Sequence, residues 1–262
     1  MPFGWLILIL ICTQIHQFAD VTVRFDKLSI EQGLSQVSVK CMIQDSRGYI
    51  WIGTEDGLNR YDGYRFKVFK RELDNPNSIS DNDILSLYQD KNGIIWVGTK
   101  FGLNRMDPER EQFTHYVFRT KSRKDRRNAI LTIAEDQTGE LWIGTAREGL
   151  IRFEPHTGKW EAFTHDPENR NSLSHGAVYG LFIDRRQRVW IGTTRGGLNS
   201  YDPVSGRFLH FRNDKSDLKS LSDNRITALT AFPDRPGILI IGTWGGGINR
   251  FDMKEKSFRP FI

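Results

Sequence analysis

Short runs of apolar residues, interleaved with polar ones and broken by Gly- or Asp-rich turns, recur along most of the chain. The first clear set is Val39–Ile43, Tyr49–Thr54, Leu58–Tyr61 and Arg65–Phe69. Between the first two runs, Asp45-Ser-Arg-Gly48 predicts a hairpin turn in which the glycine supplies a positive φ. An i, i+3 apolar spacing inside the first run (Val39/Met42, repeated as Ile84/Leu87) would also fit one turn of helix. Runs this short between turns predict strands instead.

The same four-run phrase returns at a fixed period. Gly-Thr dipeptides begin at Gly53, Gly98, Gly144, Gly192 and Gly242, spaced 45, 46, 48 and 50 residues apart. Self-similarity at that period, with four strands per unit, predicts an all-β propeller of four-stranded antiparallel blades. The five units span about 37–69, 82–118, 128–165, 176–213 and 224–262. Trp51, Trp96, Trp142 and Trp190 occupy one position in the second strand of each unit, with Ile240 in the fifth. Recurrence at one strand position marks them as a repeating core packed between blades rather than a sugar-stacking set. Two residues after the first apolar anchor of each first strand stand Cys41, Ser86, Thr132, Gly180 and Ala228, all small. Crowding of the innermost strands at the propeller axis is the reason expected for their size.

Ahead of the first unit, residues 20–30 match the pattern of a fourth strand. One such strand followed by five complete units leaves a remainder against a multiple of four. The expectation is therefore an incomplete ring, with the chain as the N-terminal part of a longer protein.

Charge and cysteine content add little to this reading. Lys and Arg number 37 against 32 Asp and Glu, a net charge of +5 that says little about partners. The aromatic content of 12% excludes a disordered chain. Residues 1–19 carry no charged side chain, and Trp5–Cys12 is continuously apolar. That stretch is too short to span a membrane but suits the apolar region of a secretory signal, so 1–19 is read as a signal peptide and 20–262 as the propeller. Whether 1–19 is cleaved or kept as an anchor stays open. Cys12 and Cys41 are the only cysteines, too few for a disulfide framework or a CxxC metal pair.

A family resemblance rests on the repeated phrase. Gln44-Asp45-x-x-Gly48-x-Ile50-Trp51-Ile52-Gly53-Thr54-x-Asp56-Gly57-Leu58-Asn59-Arg60-Tyr61-Asp62-Gly63 closely resembles the two-component regulator propeller repeat, as does the segment Leu239–Asp252. The chain departs from the pattern at Gln187 for the first-turn Gly, Ile240 for Trp, Ile151 for Asn and Ser200 for Arg. The resemblance implies the periplasmic sensor region of an inner-membrane hybrid histidine kinase that takes part in signal transduction and responds to oligosaccharides. It further implies a homodimer in the full-length sensor, no catalytic domain in this chain, and membrane contact only through segments beyond Ile262.

Chemistry in the chain itself is sparse. No phosphate-binding GxxxxGK[ST], HExxH, GxSxG or kinase catalytic phrase occurs, and the six histidines show no i, i+4 pairing. No metal or cofactor is expected. Glu154-Pro-His-Thr157-Gly158 looks somewhat like a quinone-cofactor propeller phrase, but Asp202-Pro-Val-Ser-Gly206 marks it as a hairpin. Arg119–Arg127 holds six basic residues in nine, without interleaved aromatics, and is read as a solvated loop rather than a nucleic-acid site. The turns between second and third strands differ from repeat to repeat, and variable loops on a repeated scaffold are where binding specificity resides. Two readings follow: a polar ligand binds there, with Phe101 or Trp244 stacking and Arg147, Glu148 or Arg195 hydrogen-bonding, or these turns are only hairpin tips. Two other readings stay open: a propeller enzyme resembling streptogramin lyases, and a protein-interaction scaffold like WD-repeat propellers.

Overall fold

The computed structural model describes residues 26–118 and 128–261. Five separate four-stranded antiparallel sheets follow one another along the chain, each in simple up-and-down order. Blade 1 holds β1–β4 (Val39–Gln44, Ile50–Thr54, Gly57–Tyr61, Phe66–Phe69), and blade 2 holds β5–β8 (Ile84–Gln89, Ile95–Thr99, Gly102–Asp107, Gln112–Tyr116). Blade 3 holds β9–β12 (Ile130–Glu135, Leu141–Thr145, Leu150–Phe153, Trp160–Phe163). Blade 4 holds β13–β16 (Val178–Ile183, Val189–Thr193, Leu198–Asp202, Arg207–Phe211), and blade 5 holds β17–β20 (Ile226–Ala231, Ile238–Thr243, Ile248–Asp252, Ser257–Pro260). Within each blade the strands are called A to D. The fold is an all-β propeller arrangement.

In blades 1 to 4 the A–B turn is closed by an aspartate. Asp45 accepts the backbone N–H groups of Arg47 (2.9 Å) and Tyr49 (3.0 Å), and its second oxygen accepts the Trp51 indole N–H at 2.9 Å. Asp90–Trp96 (2.8 Å), Asp136–Trp142 (2.9 Å) and Asp184–Trp190 (3.1 Å) repeat the bond. The sequence identified these aspartates as turn residues. It did not show that they also satisfy the one polar group of a fully buried indole, which would otherwise cost about 1–3 kcal/mol to bury. The four tryptophans are at most 1% exposed. Trp51 packs with Ile79, Ile95 and Met106 of the next blade, and Trp190 with Leu239 and Phe251, so the core is a chain of clusters between blades.

Gln187 takes the position of the turn glycine with φ 62°, the same left-handed region as Gly48 (90°), Gly93 (82°) and Gly139 (91°). Its side chain accepts the Gln137 N–H of blade 3 at 3.0 Å, a contact a glycine could not make. That bond offsets part of the backbone strain.

Every A strand carries one irregularity at the same point. From Ile84↔Thr99 to Ser86↔Gly98 strand A advances two residues while strand B advances one, and the other four blades repeat this bulge. The extra residue explains the i, i+3 apolar spacing: beyond the bulge, the face of the strand is displaced by one position.

The contact between blades lies beside the bulge. Cys41, Ser86, Thr132, Gly180 and Ala228 lie opposite the Gly of each Gly-Thr dipeptide. On that small-on-small patch sits the first anchor of the next blade: Ile84 on Gly53, Ile130 on Gly98, Val178 on Gly144, Ile226 on Gly192. The small residues are thus required by the approach of the next blade's anchor, a more specific cause than crowding at the axis.

Consecutive A strands pack in chain order, β1 on β5, β5 on β9, β9 on β13 and β13 on β17. No comparable contact joins β17 to β1 among the described residues, so no closed ring forms there. Among the described residues, neither end of the arc is covered by another blade. The blade 1 anchor Val39 is 48% exposed where its counterparts Ile84, Ile130, Val178 and Ile226 are at most 1% exposed. At Gly242 the nearest atoms to an added methyl belong to its own neighbouring strand, at 3.4 Å and beyond. Asp26–Ser29 are not in a strand and lead into a short 3-10 turn at Ile30–Gln32. The strand expected over 20–30 otherwise falls outside the described residues, as do the 1–19 segment and the basic run Arg119–Arg127.

Candidate functional site

The B–C turns and the D–A linkers share one end of the blades, and in blades 2 to 5 a backbone bond ties the turn to the linker that enters the same blade. Lys100 N–H donates to Asp83 O (3.2 Å), Ala146 to Ala129 (3.0 Å), Thr194 to Ala177 (3.1 Å) and Trp244 to Arg225 (2.9 Å). The threonine of each Gly-Thr dipeptide fixes its own turn by donating its hydroxyl to the carbonyl of Gly57, Gly102, Gly149, Gly197 or Gly247, at 2.9–3.0 Å.

A second clamp joins strand C to the linker. Asn59 Oδ1 accepts the Ser35 N–H (2.8 Å) and its amide donates to Ser35 Oγ (2.9 Å). Asn199 does the same with Ser174 (2.9 and 2.8 Å), and Asn249 with Ser222 (3.2 and 2.7 Å). Asn104 accepts the Ser80 N–H at 2.9 Å. In blade 3 the asparagine is Ile151, and no serine stands at the corresponding linker position, so both partners of the clamp are absent together. There Asn128 donates to Phe118 O at 2.6 Å instead.

On this fixed backbone the five residues picked from the sequence fall on four B–C turns. Trp244 is 75% exposed, Arg147 and Arg195 are exposed, and Phe101 is half-buried. Glu148 is covered, at 8% exposure, and its N–H donates to Thr145 Oγ1 at 2.8 Å. The structure therefore presents an aromatic face and two guanidinium groups to solvent, whereas the Glu148 side chain is largely enclosed.

The charges around these turns are partly spoken for. Lys40 bonds Asp83 (2.6 Å) and pairs with Glu55 (3.2 Å); burial works against its charge, but the two carboxylates outweigh it and hold its pKa above the ordinary value. Beside Trp244, Arg225 pairs with Asp223 at 2.5 Å and keeps that carboxyl below its ordinary range. His175 accepts the Ala177 N–H on Nδ1 at 3.2 Å, close to Thr194 Oγ1. Burial, then the charge of Arg195 and then His165, push its pKa down.

A polar cleft of about 410 Å³ opens on the same end, between the linker into blade 4 and its outer strand. It is lined by His165, Asp166, Arg170, His210 and Arg212 among others, and by none of the five residues above. His165 Nδ1 and His210 Nε2 lie 2.7 and 2.9 Å from the Leu173 and Ser172 carbonyls, so each donates a proton there. The sequence placed these histidines in outer strands and linkers but gave no sign that they meet. Among the described residues, no group of three or more His, Cys, Asp or Glu is arranged to hold a metal ion. No helix among them is long and apolar enough to cross a membrane.

Comparison with known proteins agrees with this architecture. The family model for the two component regulator propeller matches residues 33–56, 78–101, 126–147 and 172–195, covering the linker, strand A and strand B of four consecutive blades. A 48-residue stretch is 48% identical to histidine kinase P4 of Formosa agariphila, covering 18% of this chain and 4% of that protein. The extracellular domain described as that of the hybrid two component system BT3049 of B. thetaiotaomicron superposes with a TM-score of 0.74 and 26% identity, over 89% of this chain and 31% of that one. A virginiamycin B lyase of Staphylococcus aureus shares the fold, with a TM-score of 0.62 and 16% identity over 84% of this chain and 68% of that chain. The chain thus spans a small part of the kinase and about a third of the extracellular domain it resembles. Stretches on four successive blades thus match the two component regulator propeller repeat.

Proposed function

We propose that this propeller is the ligand-sensing module of a two-component system, exported to the periplasm, and that it binds an oligosaccharide at the B–C end of its blades. The likeness to an extracellular domain of a hybrid two component system along 89% of the chain supports the sensory role. The observation that carries the ligand class is Trp244: an indole 75% exposed, held by a backbone bond to Arg225 and bordered by glycines that leave its face open. A flat aromatic surface with guanidinium groups on neighbouring turns suits a polyhydroxylated ring, whose C–H face stacks while its hydroxyls accept hydrogen bonds. In this reading the chain itself performs no catalysis. Output belongs to a histidine kinase in the parent protein, which would act as a homodimer and meet the membrane through its own segments.

The test is a fluorescence titration of the chain with a panel of neutral and acidic plant and algal oligosaccharides, alongside Trp244→Ala and Arg195→Ala. A saturable change lost in Trp244→Ala and weakened in Arg195→Ala, with both variants unfolding at the wild-type midpoint, is the expected result. No response across the panel, or calorimetric affinity unchanged in both variants, overturns the assignment.

A further inference from the structure

The opposite end of the blades, where the A–B and C–D turns lie, carries a cleft that the sensory reading does not use. It exists because blade 5 departs from the repeat. Where the other blades have a four-residue Asp-x-x-Gly or Asp-x-x-Gln turn closed on a tryptophan, blade 5 has Phe232-Pro-Asp-Arg-Pro-Gly237 and Ile240. This longer connection closes on itself, through Phe232 N–H to Ile238 O (2.9 Å) and Ile238 N–H to Arg235 O (3.1 Å). It also leans on its own C–D hairpin, through Met253 N–H to Gly237 O at 2.9 Å. Between it and the A–B turn of blade 4 lies a space of about 560 Å³, within the range of small-molecule sites, ~300–1,000 Å³.

The lining divides cleanly by chemistry. Phe182, Phe232, Met253 and two prolines supply apolar surface. Arg185, Arg186, Lys254 and Lys256 supply charge and are exposed, and none of the four has an ion pair among the described residues. The lining carboxylate, Asp184, is 6% exposed and already engaged. It accepts the backbone N–H groups of Arg186 (2.8 Å) and Arg188 (3.1 Å), the Trp190 indole, and the Arg188 side chain at 2.8 Å. Arg188 is therefore neutralised within the wall. Asp234 and Glu255 stand on the same two turns but do not line the space. What remains is four cations around an apolar floor, a combination that recognises an anionic group attached to a flat apolar body.

We infer that this cleft binds a small organic anion, a carboxylate or sulfate carried on an aromatic or similarly flat framework. The site is independent of the B–C end, so Trp244→Ala leaves it intact whatever the fate of the oligosaccharide reading.

Calorimetric titration of the chain with naphthoate, naphthalenesulfonate and the neutral naphthalenemethanol tests the assignment. Both anions are expected to bind at least tenfold more tightly than the neutral compound, with affinity falling as salt is raised. The double reversal Arg185→Glu/Arg186→Glu is expected to abolish anion binding, whereas Arg65→Glu on the C–D turn of blade 1 retains it. Preference for only one of the two anions would narrow the ligand to that group. Lys254→Glu, a single exposed change, serves if the double variant unfolds early, with at least a threefold loss expected. Equal affinity for neutral and anionic compounds, no binding of either anion, or unchanged affinity in the reversed variants overturns the proposal.

Discussion

Gly53 lies directly under Ile84 of the following blade, so that a methyl group added to the glycine would stand 2.6 Å from Ile84 Cγ2 and 2.5 Å from Cys41 Sγ. Three further glycines repeat the relationship. At Gly98 and Gly144 an added methyl would meet Ile130 Cγ2 at 2.8 Å and Val178 Cγ1 at 2.7 Å. The Gly-Thr dipeptide is thus a contact point between blades, with the threonine holding its own B–C turn.

Replacing these glycines therefore separates interior from terminal blades. Gly192→Ala drives a methyl into Ile226 and is expected to cost about 1–3 kcal/mol, the usual range for overpacking. Gly242→Ala meets nothing closer than 3.4 Å and is expected to change stability by less than about 0.5 kcal/mol. Urea unfolding midpoints of the two variants measure the difference, and equal losses would contradict the inter-blade role.

Asp136 sets an acid limit on blade 3. Burial opposes its charge, but the Thr138 hydroxyl, the Trp142 indole and two backbone N–H groups outweigh it and keep its pKa below the ordinary value. A depressed folded-state pKa gives stability that is fully present above the unfolded value of about 3.9 and disappears as pH falls through the lower folded value. Asp136→Asn should be less stable than wild type at pH 7, and the gap should close as pH drops below about 4. Thermal melts from pH 7 to pH 3 check this. A gap independent of pH would assign the loss to packing alone.

Cys41 is expected to be a poor nucleophile. It sits opposite Gly53 and next to the Ile84 anchor, and burial pushes its thiol up to about 12. Labelling with a thiol reagent at pH 8 should proceed far more slowly than in urea-unfolded chain, because the thiolate is scarce and the sulfur covered. Similar rates in the two states would show that the first blade opens freely.

The Asn–Ser clamp can be tested by removing its acceptor. Asn199→Ala would leave the Ser174 N–H and hydroxyl without their present partner in a buried setting, at a cost of about 1–3 kcal/mol. Ile151→Asn, in the blade whose linker lacks the serine, would bury an unmatched amide and is expected to destabilise as well. A stabilising Ile151→Asn would mean that another group can serve as its partner.

Much of this architecture is written in local pattern. Turn glycines and aspartates, alternating runs and a Trp at one strand position repeat often enough to count strands and blades, since each is set within a few residues. Even Gln187 and Ile151 were visible as departures. Their consequences were not, because Gln187 reaches across to Gln137 in another blade and Ile151 answers to a linker some two dozen residues earlier.

The sequence by itself determined the strand order, the four-stranded blade and the variable turns, since period and turn chemistry act over short stretches of chain. Only the tertiary structure decided which of the candidate side chains are presented. It left Trp244 open and closed over Glu148, because exposure depends on how neighbouring turns and linkers meet. It also decided that the small residues of strand A seat the next blade's anchor. Finally, it showed that a longer turn in blade 5 opens a cationic cleft against blade 4, where groups about fifty residues apart come together through packing that no local pattern records.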